Sequence, residues 1–246
     1  MDNKMMKYAL FGLSAVVVSE ITYRYIWCWF ERCAKLRASQ TKREVADVIW
    51  INEHTQDCAV KGGEIPKFFH NGEKCKNMFC YPRNIRKIIQ FIDDAKHSID
   101  LSMYIFTSNE LAKAIDRAIK RGLQIRIISD QEMCFSSGSR ITDLTQSGVP
   151  VRFPNASNML MHHKFCILDG PVRLNTLSKI KKSTMQPTQG ILFTGSLNWT
   201  HQGFNANFEN MIITSNVNLI DKFEKEFERM WLSFDGKDLK EQNKSS

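Results

Sequence analysis

Short β-branched runs alternate with amphipathic helical patterns from Asp47 onward, and this alternation limits the fold more than any other feature of the chain. Residues 47–52 are predicted as a first strand. Ile85, Ile88 and Ile92 then recur at helical spacing, and residues 99–106 alternate apolar and polar side chains as a strand does. Such a pattern is typical of an α/β layer architecture.

The remainder of the chain continues this alternation. Ser108 or Asn109 can cap a helix that Gly122 ends. Pro150 places the strand-like residues 149–153 at the edge of a sheet. Further strands are predicted over residues 124–129, 161–168, 191–197 and 210–214, an amphipathic core helix over 220–234, and a disordered tail over 235–246.

Length and composition restrict the class of protein. The chain has 246 residues, of which 43% are hydrophobic and 24% charged. These values suit one globular domain with a short appendage and exclude a disordered chain, a disulfide-rich miniprotein and a polytopic membrane protein. The net charge of +8 indicates an anionic partner, either a nucleic acid or a membrane surface. The odd number of cysteines, seven, favours a reducing compartment.

An apolar run from Tyr8 to Phe30 predicts a membrane helix of about 20 residues. Its only charged residues, Glu20 and Arg24, are four apart and can pair on one helix face. A signal peptide is the alternative, but no small-residue cleavage site follows the run. Basic residues are more frequent after the run than before it, which leaves the body of the protein in the cytosol. We expect residues 1–40 to form a membrane anchor and basic linker, with the mitochondrial outer membrane as the hypothesis.

Two polar strings in the second half of the chain carry residues suited to catalysis. His162 and Lys164 are two apart in a predicted strand and therefore share a face, as do Ser196 and Asn198 in a later strand. Glu209 is available to orient an imidazole. A lone histidine on a strand is more often a core residue, but the two strings together supply a nucleophile, a fixed positive charge and neutral donors. That set can catalyse phosphoryl transfer without a metal ion.

The two strings carry a family resemblance. His-x-Lys-x-x-x-x-Asp at residues 162–169, followed by Gly-Ser-x-Asn at 195–198, resembles the phospholipase D superfamily, and most closely its single-motif branch, the Zucchini or mitochondrial cardiolipin hydrolase family. The likeness extends from about residue 5 to residue 234. Further matching residues are Tyr104-Ile105-Phe106-Thr107-Ser108, Arg121-Gly122, Asp130, Trp199-Thr200 and Glu209-Asn210.

This resemblance implies both a fold and a chemistry. The expected fold is a phospholipase D-like mixed β-sheet with helices on both faces over residues 41–234, with an N-terminal membrane helix and a small zinc-binding insertion. His162 would attack phosphorus and form a phosphohistidine that water resolves, while Lys164 and Asn198 hold the non-bridging oxygens. Ser196 would support the phosphate or its strand, and Glu209 would set the tautomer and basicity of His162. No metal ion is implied in this step.

The mechanism also needs a second histidine to protonate the leaving oxygen. No other His-x-Lys occurs in the sequence. A twofold homodimer meets the need by placing His162 of both copies across one phosphate. An obligate homodimer with a shared active site is therefore predicted.

The segment that follows the catalytic motif departs from compact bacterial relatives. The resemblance implies that Asp169 braces the motif rather than contacting substrate. About two dozen residues follow it, and they include four basic residues and no acid. The basic residues are Arg173, Lys179, Lys181 and Lys182. Two interpretations of residues 170–194 remain open: a solvated surface hairpin, or an added wall for a polyanion beside the cleft.

Cys58, His70, Cys75 and Cys80 are the residue types of a Cys3His zinc site, although no Cys-x-x-Cys pair is present. His54 could replace His70. The family that the chain resembles carries a small zinc-binding insertion at this place, here residues 54–82. A structural zinc ion would replace the core that this loop-rich segment lacks.

Two substrates fit the implied chemistry. One is single-stranded RNA, cut to leave a 5′ phosphate, which in this family serves piRNA production at the mitochondrial surface; the other is cardiolipin, hydrolysed to phosphatidate. Basic residues with interleaved aromatics favour an RNA groove, namely Lys67, Lys74, Lys76, Arg83 and Arg86 with Phe68, Phe69 and Tyr81. A third hypothesis, an inactive scaffold between mitochondria and RNA granules, conflicts with the intact catalytic set.

Overall fold

The computed structural model describes residues 18–32, 44–58, 75–154 and 159–234, and the chain divides into two compact units, Met1–Arg43 and Glu44–Ser246. In the first unit, residues 18–32 form helix α1. Arg24 donates a hydrogen bond to Glu20 at 3.4 Å, as their spacing predicts. No helix within the described ranges is both long and apolar enough to cross a membrane. Residues 1–17 of the predicted anchor and the tail over 235–246 lie outside those ranges.

The second unit is built on one mixed sheet. Its strands are β1 (Ala46–Ile51), β2 (Ser98–Met103), β3 (Gln124–Ile128), β4 (Val151–Arg152), β5 (Lys164–Leu168), β6 (Ile191–Gly195) and β7 (Glu209–Thr214). They lie in the order β1-β7-β6-β5-β2-β3-β4. β2, β3 and β4 are parallel, whereas β5, β6, β7 and β1 pair antiparallel with their neighbours. The short β4 is an edge strand, as Pro150 predicts.

Helices cover both faces of this sheet. They are α2 (Tyr81–Asp94), α3 (Asn109–Lys120), α4 (Gln131–Cys134), α5 (Ile141–Gln146), α6 (Pro171–Lys181), α7 (His201–Asn205) and α8 (Val217–Ser233), with a 3-10 helix over Glu53–Cys58. The apolar sides of α2 and α3 pack on one face in the larger core. α8 packs on the other face against Phe165 and Leu192 in a smaller core. The α/β fold with helices on both faces is therefore confirmed.

A buried ion network joins α8 to the sheet. Arg126 on β3 donates to both carboxylate oxygens of Asp100 on β2 at 2.8 Å and to Glu228 on α8 at 2.6 Å. The guanidinium carbon also lies 4.9 Å from the centroid of the Phe227 ring. Because removing one partner of a buried ion pair leaves an uncompensated charge, this network holds α8 at a fixed place on the sheet.

Both strands that carry the catalytic strings are shorter than the sequence predicts. β5 begins at Lys164 rather than at residue 161, and β6 ends at Gly195 rather than at residue 197. His162 and Asn198 therefore lie in segments just outside the strands. The alternation of side chains continues past the last backbone hydrogen bond between the strands. The sequence pattern therefore overestimates the length of both strands.

The segment after Asp169 forms helix α6, so the predicted surface hairpin is wrong. Pro171 occupies the first turn of the helix, where its missing N–H costs nothing. The carboxylate of Glu224 on α8 accepts from the N–H groups of Val172 at 3.1 Å and Arg173 at 2.9 Å. This side chain satisfies two of the unpaired donors at the start of α6.

Candidate active site

The residues of both catalytic strings meet at one edge of the sheet. β5 and β6 are antiparallel, so the beginning of β5 and the end of β6 lie at the same edge. β7 is antiparallel to β6, so its first residue, Glu209, lies at that edge as well. We call this the catalytic edge. The structure thus assembles the five predicted side chains of His162, Lys164, Ser196, Asn198 and Glu209.

Lys164 is the buried member of the His162–Lys164 pair. Its Nζ lies 3.2 Å from His162 Nδ1 and donates to the His162 carbonyl oxygen at 2.8 Å. Lys164 is only 9% exposed, whereas His162 is exposed. Burial lowers the pKa of Lys164, and the charge of Glu209 acts in the opposite direction. Because an ammonium can only donate, this contact requires the tautomer in which Nδ1 is the acceptor.

An aromatic side chain completes the surroundings of this pair. The ring centroid of Tyr104 lies 4.6 Å from that of His162 and 4.9 Å from Lys164 Nζ. Tyr104 belongs to the residues that carry the family resemblance, but the sequence predicts no role for it. The contact depends on the pairing of β2 with β5, which no local pattern reveals.

Glu209 is held by two polar neighbours. Ser196 Oγ donates to one carboxylate oxygen of Glu209, and Asn207 Nδ2 donates to the other at 3.0 Å. Among the described residues, no hydrogen bond joins Glu209 to His162, so the effect of Glu209 on the His162 tautomer stays a prediction. Asn207 was not identified from the sequence, because it lies in a turn where no periodic pattern marks it.

Asn198 presents a donor to the catalytic edge. Its Oδ1 accepts from the backbone N–H of Ile105 at 3.2 Å. Since a backbone N–H can only donate, the side-chain oxygen must face it, and the NH2 group remains to bind an anion. The following carbonyl, of Trp199, accepts from the N–H groups of Thr107 and Ser108, each at 2.9 Å. These bonds fix Asn198 to the segment that follows β2.

Gly195 allows β6 and β7 to approach closely beside Ser196. A Cβ at this position would overlap the carbonyl oxygen of Asn210. The same carbonyl accepts from the N–H of Ser196 at 3.1 Å, and Ser196 Oγ accepts from the N–H of Asn210 at 3.1 Å. The glycine that sequence analysis linked to close backbone approach has that function here.

Asp169 lies at the opposite end of β5, about 16 Å from Lys164 along the strand. Its carboxylate accepts from the backbone N–H groups of Lys96 at 2.8 Å, His97 at 2.7 Å and Ser98 at 2.9 Å. This matches the predicted bracing role and separates Asp169 from the reacting groups. We call this end of the sheet the brace edge.

α6 begins at the brace edge. It connects the end of β5 to the beginning of β6, and both of these strand ends lie at that edge. Lys179, Lys181 and Lys182, in the last turn and at the C-terminal end of the helix, are exposed. The added wall for a polyanion beside the cleft stays a prediction.

Three cysteine sulfur atoms converge beside β1. The Sγ atoms of Cys58, Cys75 and Cys80 lie within 4.8 Å of one another, with 3.7 Å between those of Cys58 and Cys75. A tetrahedral zinc ion with Zn–S bonds of about 2.3 Å holds its sulfur ligands about 3.8 Å apart. The three thiols therefore fit a zinc ion and leave one ligand to be supplied.

The fourth ligand of such a zinc site is not among the converging atoms of the described residues. His70 lies outside the described residues. His54 does not belong to the group of converging ligand atoms; its ring stacks on Phe79 at 5.8 Å between centroids. Within the described ranges, only the cysteines of the predicted set are brought together.

Comparison with known proteins agrees with this architecture. A family model described as "Cardiolipin synthase, PLD-like domain" matches residues 88–231. NucT from Helicobacter pylori superimposes with a TM-score of 0.56 at 20% sequence identity, over 79% of this chain and 100% of that chain. At this level of identity the likeness shows a shared fold.

Curated relatives extend the likeness over nearly the whole chain. The chain is 42% identical over 235 residues to a protein of Drosophila melanogaster named mitochondrial cardiolipin hydrolase, covering 91% of this chain and 87% of that one. A protein of the same name from Chlamydomonas reinhardtii is 28% identical over 215 residues, covering 81% and 87%. The catalytic edge, the family match and these relatives agree, and the chain belongs to the mitochondrial cardiolipin hydrolase, or Zucchini, family of phospholipase D-like phosphodiesterases.

Proposed function

We propose that the chain hydrolyses phosphodiesters without a catalytic metal ion, through a phosphohistidine on His162. The observation that carries this proposal is the contact between the buried Lys164 ammonium and the exposed His162 imidazole at 3.2 Å. A substrate phosphate at this point meets a nucleophile and a fixed cation together. Asn198 adds a neutral donor whose oxygen is already engaged.

The chemistry proceeds in two displacements. A ring nitrogen of His162 gives its electron pair to phosphorus, the P–O bond to the leaving group breaks, and the leaving oxygen takes a proton from an acid. Water then attacks phosphorus, gives its proton to the group that protonated the leaving oxygen, and breaks the P–N bond. In both steps Lys164 offsets the charge of the non-bridging oxygens and Asn198 donates a hydrogen bond to them. A phosphate oxygen that takes over the Lys164 ammonium would also free His162 from its present hydrogen bond.

The acid in this proposal is His162 of a second copy, and an exposed apolar surface supports a homodimer. We define the β1–β7 face as Val48, Trp50, Phe208 and Ile212, which are 41%, 54%, 79% and 43% exposed. α8 covers β5 and β6 on this side of the sheet and leaves these residues uncovered. A groove of about 370 Å³ lies between Trp50 and Phe208 and is also lined by Glu209. Because the face adjoins Glu209, a second copy docked there would lie beside the catalytic edge.

Light scattering of the detergent-solubilised chain tests the dimer. Trp50→Glu is expected to yield a folded monomer that has lost activity, because it places a charge in the β1–β7 face. Leu232→Glu is the matched control, since Leu232 is an exposed apolar residue of α8. A fully active monomer would contradict the shared active site.

We propose single-stranded RNA as the substrate, cut endonucleolytically to leave a 5′ phosphate, with a role in piRNA biogenesis. The net charge of +8 supports a polyanionic partner. Lys76 and Arg83 are exposed near the converging cysteines. That region is close to the catalytic edge, because Ile51 pairs with Glu209. Lys67 and Lys74 lie outside the described residues.

Cardiolipin hydrolysis to phosphatidate is the alternative, and the name shared by the curated relatives favours it. The same name supports a mitochondrial location. We propose the outer membrane, with residues 1–40 as the anchor and the catalytic domain over 41–234 facing the cytosol. The exposed aromatic residues of α1, which include Tyr25 and Trp27, suit a membrane interface.

One assay separates the two substrates. The full-length chain is offered 5′-labelled single-stranded RNA, the same sequence as a duplex, and cardiolipin vesicles. RNA is expected to be cut only as a single strand, and 2′-O-methyl RNA is expected to be cut as well, because the nucleophile is His162 rather than the ribose hydroxyl. His162→Asn should abolish cleavage, while His97→Asn, at the brace edge, should not. Hydrolysis of cardiolipin alone would overturn the RNA proposal.

We further propose that the insertion over residues 54–82 holds a structural zinc ion on Cys58, Cys75, Cys80 and His70. Elemental analysis of protein purified without chelator should give one zinc per chain, and Cys75→Ser should lower both the zinc content and the melting temperature. His54→Ala is the control and should leave the zinc content unchanged. Metal-free protein with wild-type stability would contradict the proposal.

A further inference from the structure

Tyr104 follows β2 directly, and its ring touches both members of the His162–Lys164 pair. The ring centroid is 4.6 Å from the imidazole centroid, with 53° between the planes. Lys164 Nζ is 4.9 Å from the same centroid. The N–H of Tyr104 donates to the carbonyl oxygen of His163 at 3.1 Å, which continues the β2–β5 pairing and fixes the backbone that carries the ring.

The buried ammonium of Lys164 has few groups that favour its charge. From its own segment it faces His162 and His163, which offer no negative charge. From β7 it faces the carboxylate of Glu209, which Ser196 and Asn207 also share. From the end of β2 it faces the Tyr104 ring, and an aromatic face attracts a cation.

We propose that Tyr104 is a positioning residue whose ring holds the Lys164 ammonium, in its charged form, beside His162 where the substrate phosphate binds. The inference rests on the proposed function of the pair and adds how the pair is kept ready for substrate. The phenyl ring performs this role, and the hydroxyl group is not required.

The direction of the expected change in the pKa of Lys164 follows from the charged form, which the Tyr104 ring stabilises. Burial lowers the pKa of Lys164, and Glu209 and the ring both act against that shift. Removing the ring therefore lowers the pKa of Lys164 further. The activity depends on the ammonium, so its loss on the alkaline side of the pH profile then begins at a lower pH.

The test compares Tyr104→Leu with Tyr104→Phe in the full-length, detergent-solubilised chain, using bis-p-nitrophenyl phosphate as a substrate that needs no RNA or lipid site. Tyr104→Leu is expected to lower kcat/KM by about two- to thirtyfold, the range to which cation–π energies correspond. It should also move the alkaline limb of the profile to lower pH. Tyr104→Phe should restore both values.

Phe223→Leu is the matched control for lost packing. Phe223 is a half-buried ring on α8 that packs edge-on against Phe165 at 5.0 Å in the smaller core. It is expected to lower the melting temperature without moving the alkaline limb. A Tyr104→Leu variant that keeps the wild-type alkaline limb, or a Tyr104→Phe variant as impaired as Tyr104→Leu, would overturn the proposal.

A second measurement keeps this inference separate from the proposed function. The pKa of Lys164 is read from the 13Cε resonance of labelled lysines, with Lys164→Arg to identify the signal. Tyr104→Leu should lower that pKa and Tyr104→Phe should not, even if the wild-type chain cleaves no phosphodiester. An unchanged Lys164 pKa in Tyr104→Leu would reject the inference.

Discussion

The two ends of β5 belong to one sequence motif but differ in almost every physical respect. At the catalytic edge, a buried ammonium lies beside an exposed imidazole and has one carboxylate acting on it, Glu209. At the brace edge, Asp169 is 4% exposed and accepts three backbone hydrogen bonds. His-x-Lys-x-x-x-x-Asp therefore combines a reactive half with a structural half. Substitutions at the two ends should separate into losses of activity and losses of stability.

The largest effect is expected for Lys164→Met. Activity should fall by at least about a thousandfold, because the charge that stabilises the transition state is removed. The melting temperature should stay level or rise, since a buried ammonium opposes folding. Because burial lowers the folded pKa of Lys164 from its ordinary value of 10.5, any gain should shrink as the pH rises from the folded pKa towards 10.5, since the folded wild type then loses the buried charge.

Lys181→Met is the control for this variant and should leave activity unchanged, because Lys181 is an exposed lysine at the end of α6. The measurements are kcat/KM on a phosphodiester and the melting temperature between pH 7 and pH 10. A Lys164→Met protein that is much less stable than the wild type would show that the catalytic edge is structural as well.

The opposite outcome is expected for Asp169→Asn. The amide keeps one acceptor and tolerates the left-handed φ of 50° at this position, so the change removes hydrogen bonds without adding backbone strain. The free energy of unfolding in urea should fall by about 2–4 kcal/mol. Activity per folded molecule at low temperature should be preserved.

Asp143→Asn is the control for Asp169→Asn, since the Asp143 side chain is 59% exposed and pairs with Arg140 on the surface. An Asp169→Asn protein with wild-type stability and reduced kcat would remove the distinction between the two ends.

The smallest effect concerns two surface charges, Arg83 near the converging cysteines and Lys181 on α6. Arg83→Glu should weaken binding of single-stranded RNA by about three- to tenfold at low salt, whereas Lys181→Glu on α6 should have little effect. The loss should diminish as salt is added. Binding is measured by fluorescence anisotropy in the inactive His162→Asn background. Equal losses for both variants would mean that RNA contacts α6 as well as the region near the cysteines.

Much of the site could be predicted from the sequence, because its chemistry is local. Lys164 begins β5 and His162 lies just before it, while Ser196 and Asn198 directly follow β6. Each pair is therefore local in the sequence. The sheet also followed from the apolar pattern, since β1 buries alternate side chains, α2 and α3 each bury one face, and the central strands β2 and β5 are buried throughout. These features need no information from distant parts of the chain.

The features that the sequence did not reveal depend on distant partners. α6 buries only Leu177, so it has no apolar periodicity to detect, and its capping carboxylate, Glu224, comes from α8. The contact of Tyr104 with Lys164 requires the β2–β5 pairing. The connection that contains α6 leaves and rejoins the sheet at the brace edge because of strand direction, which composition does not encode.

The absence of a side chain at Gly195 limits which substitutions this enzyme can accept during evolution. Any side chain there must displace the Asn210 carbonyl, and that displacement moves β7 together with Glu209, away from Ser196. A single methyl group would therefore act as a wedge between the hydroxyl and the carboxylate, although it touches neither. Substitutions that change substrate preference are therefore expected in the surrounding loops, because no free volume remains between Gly195 and Asn210.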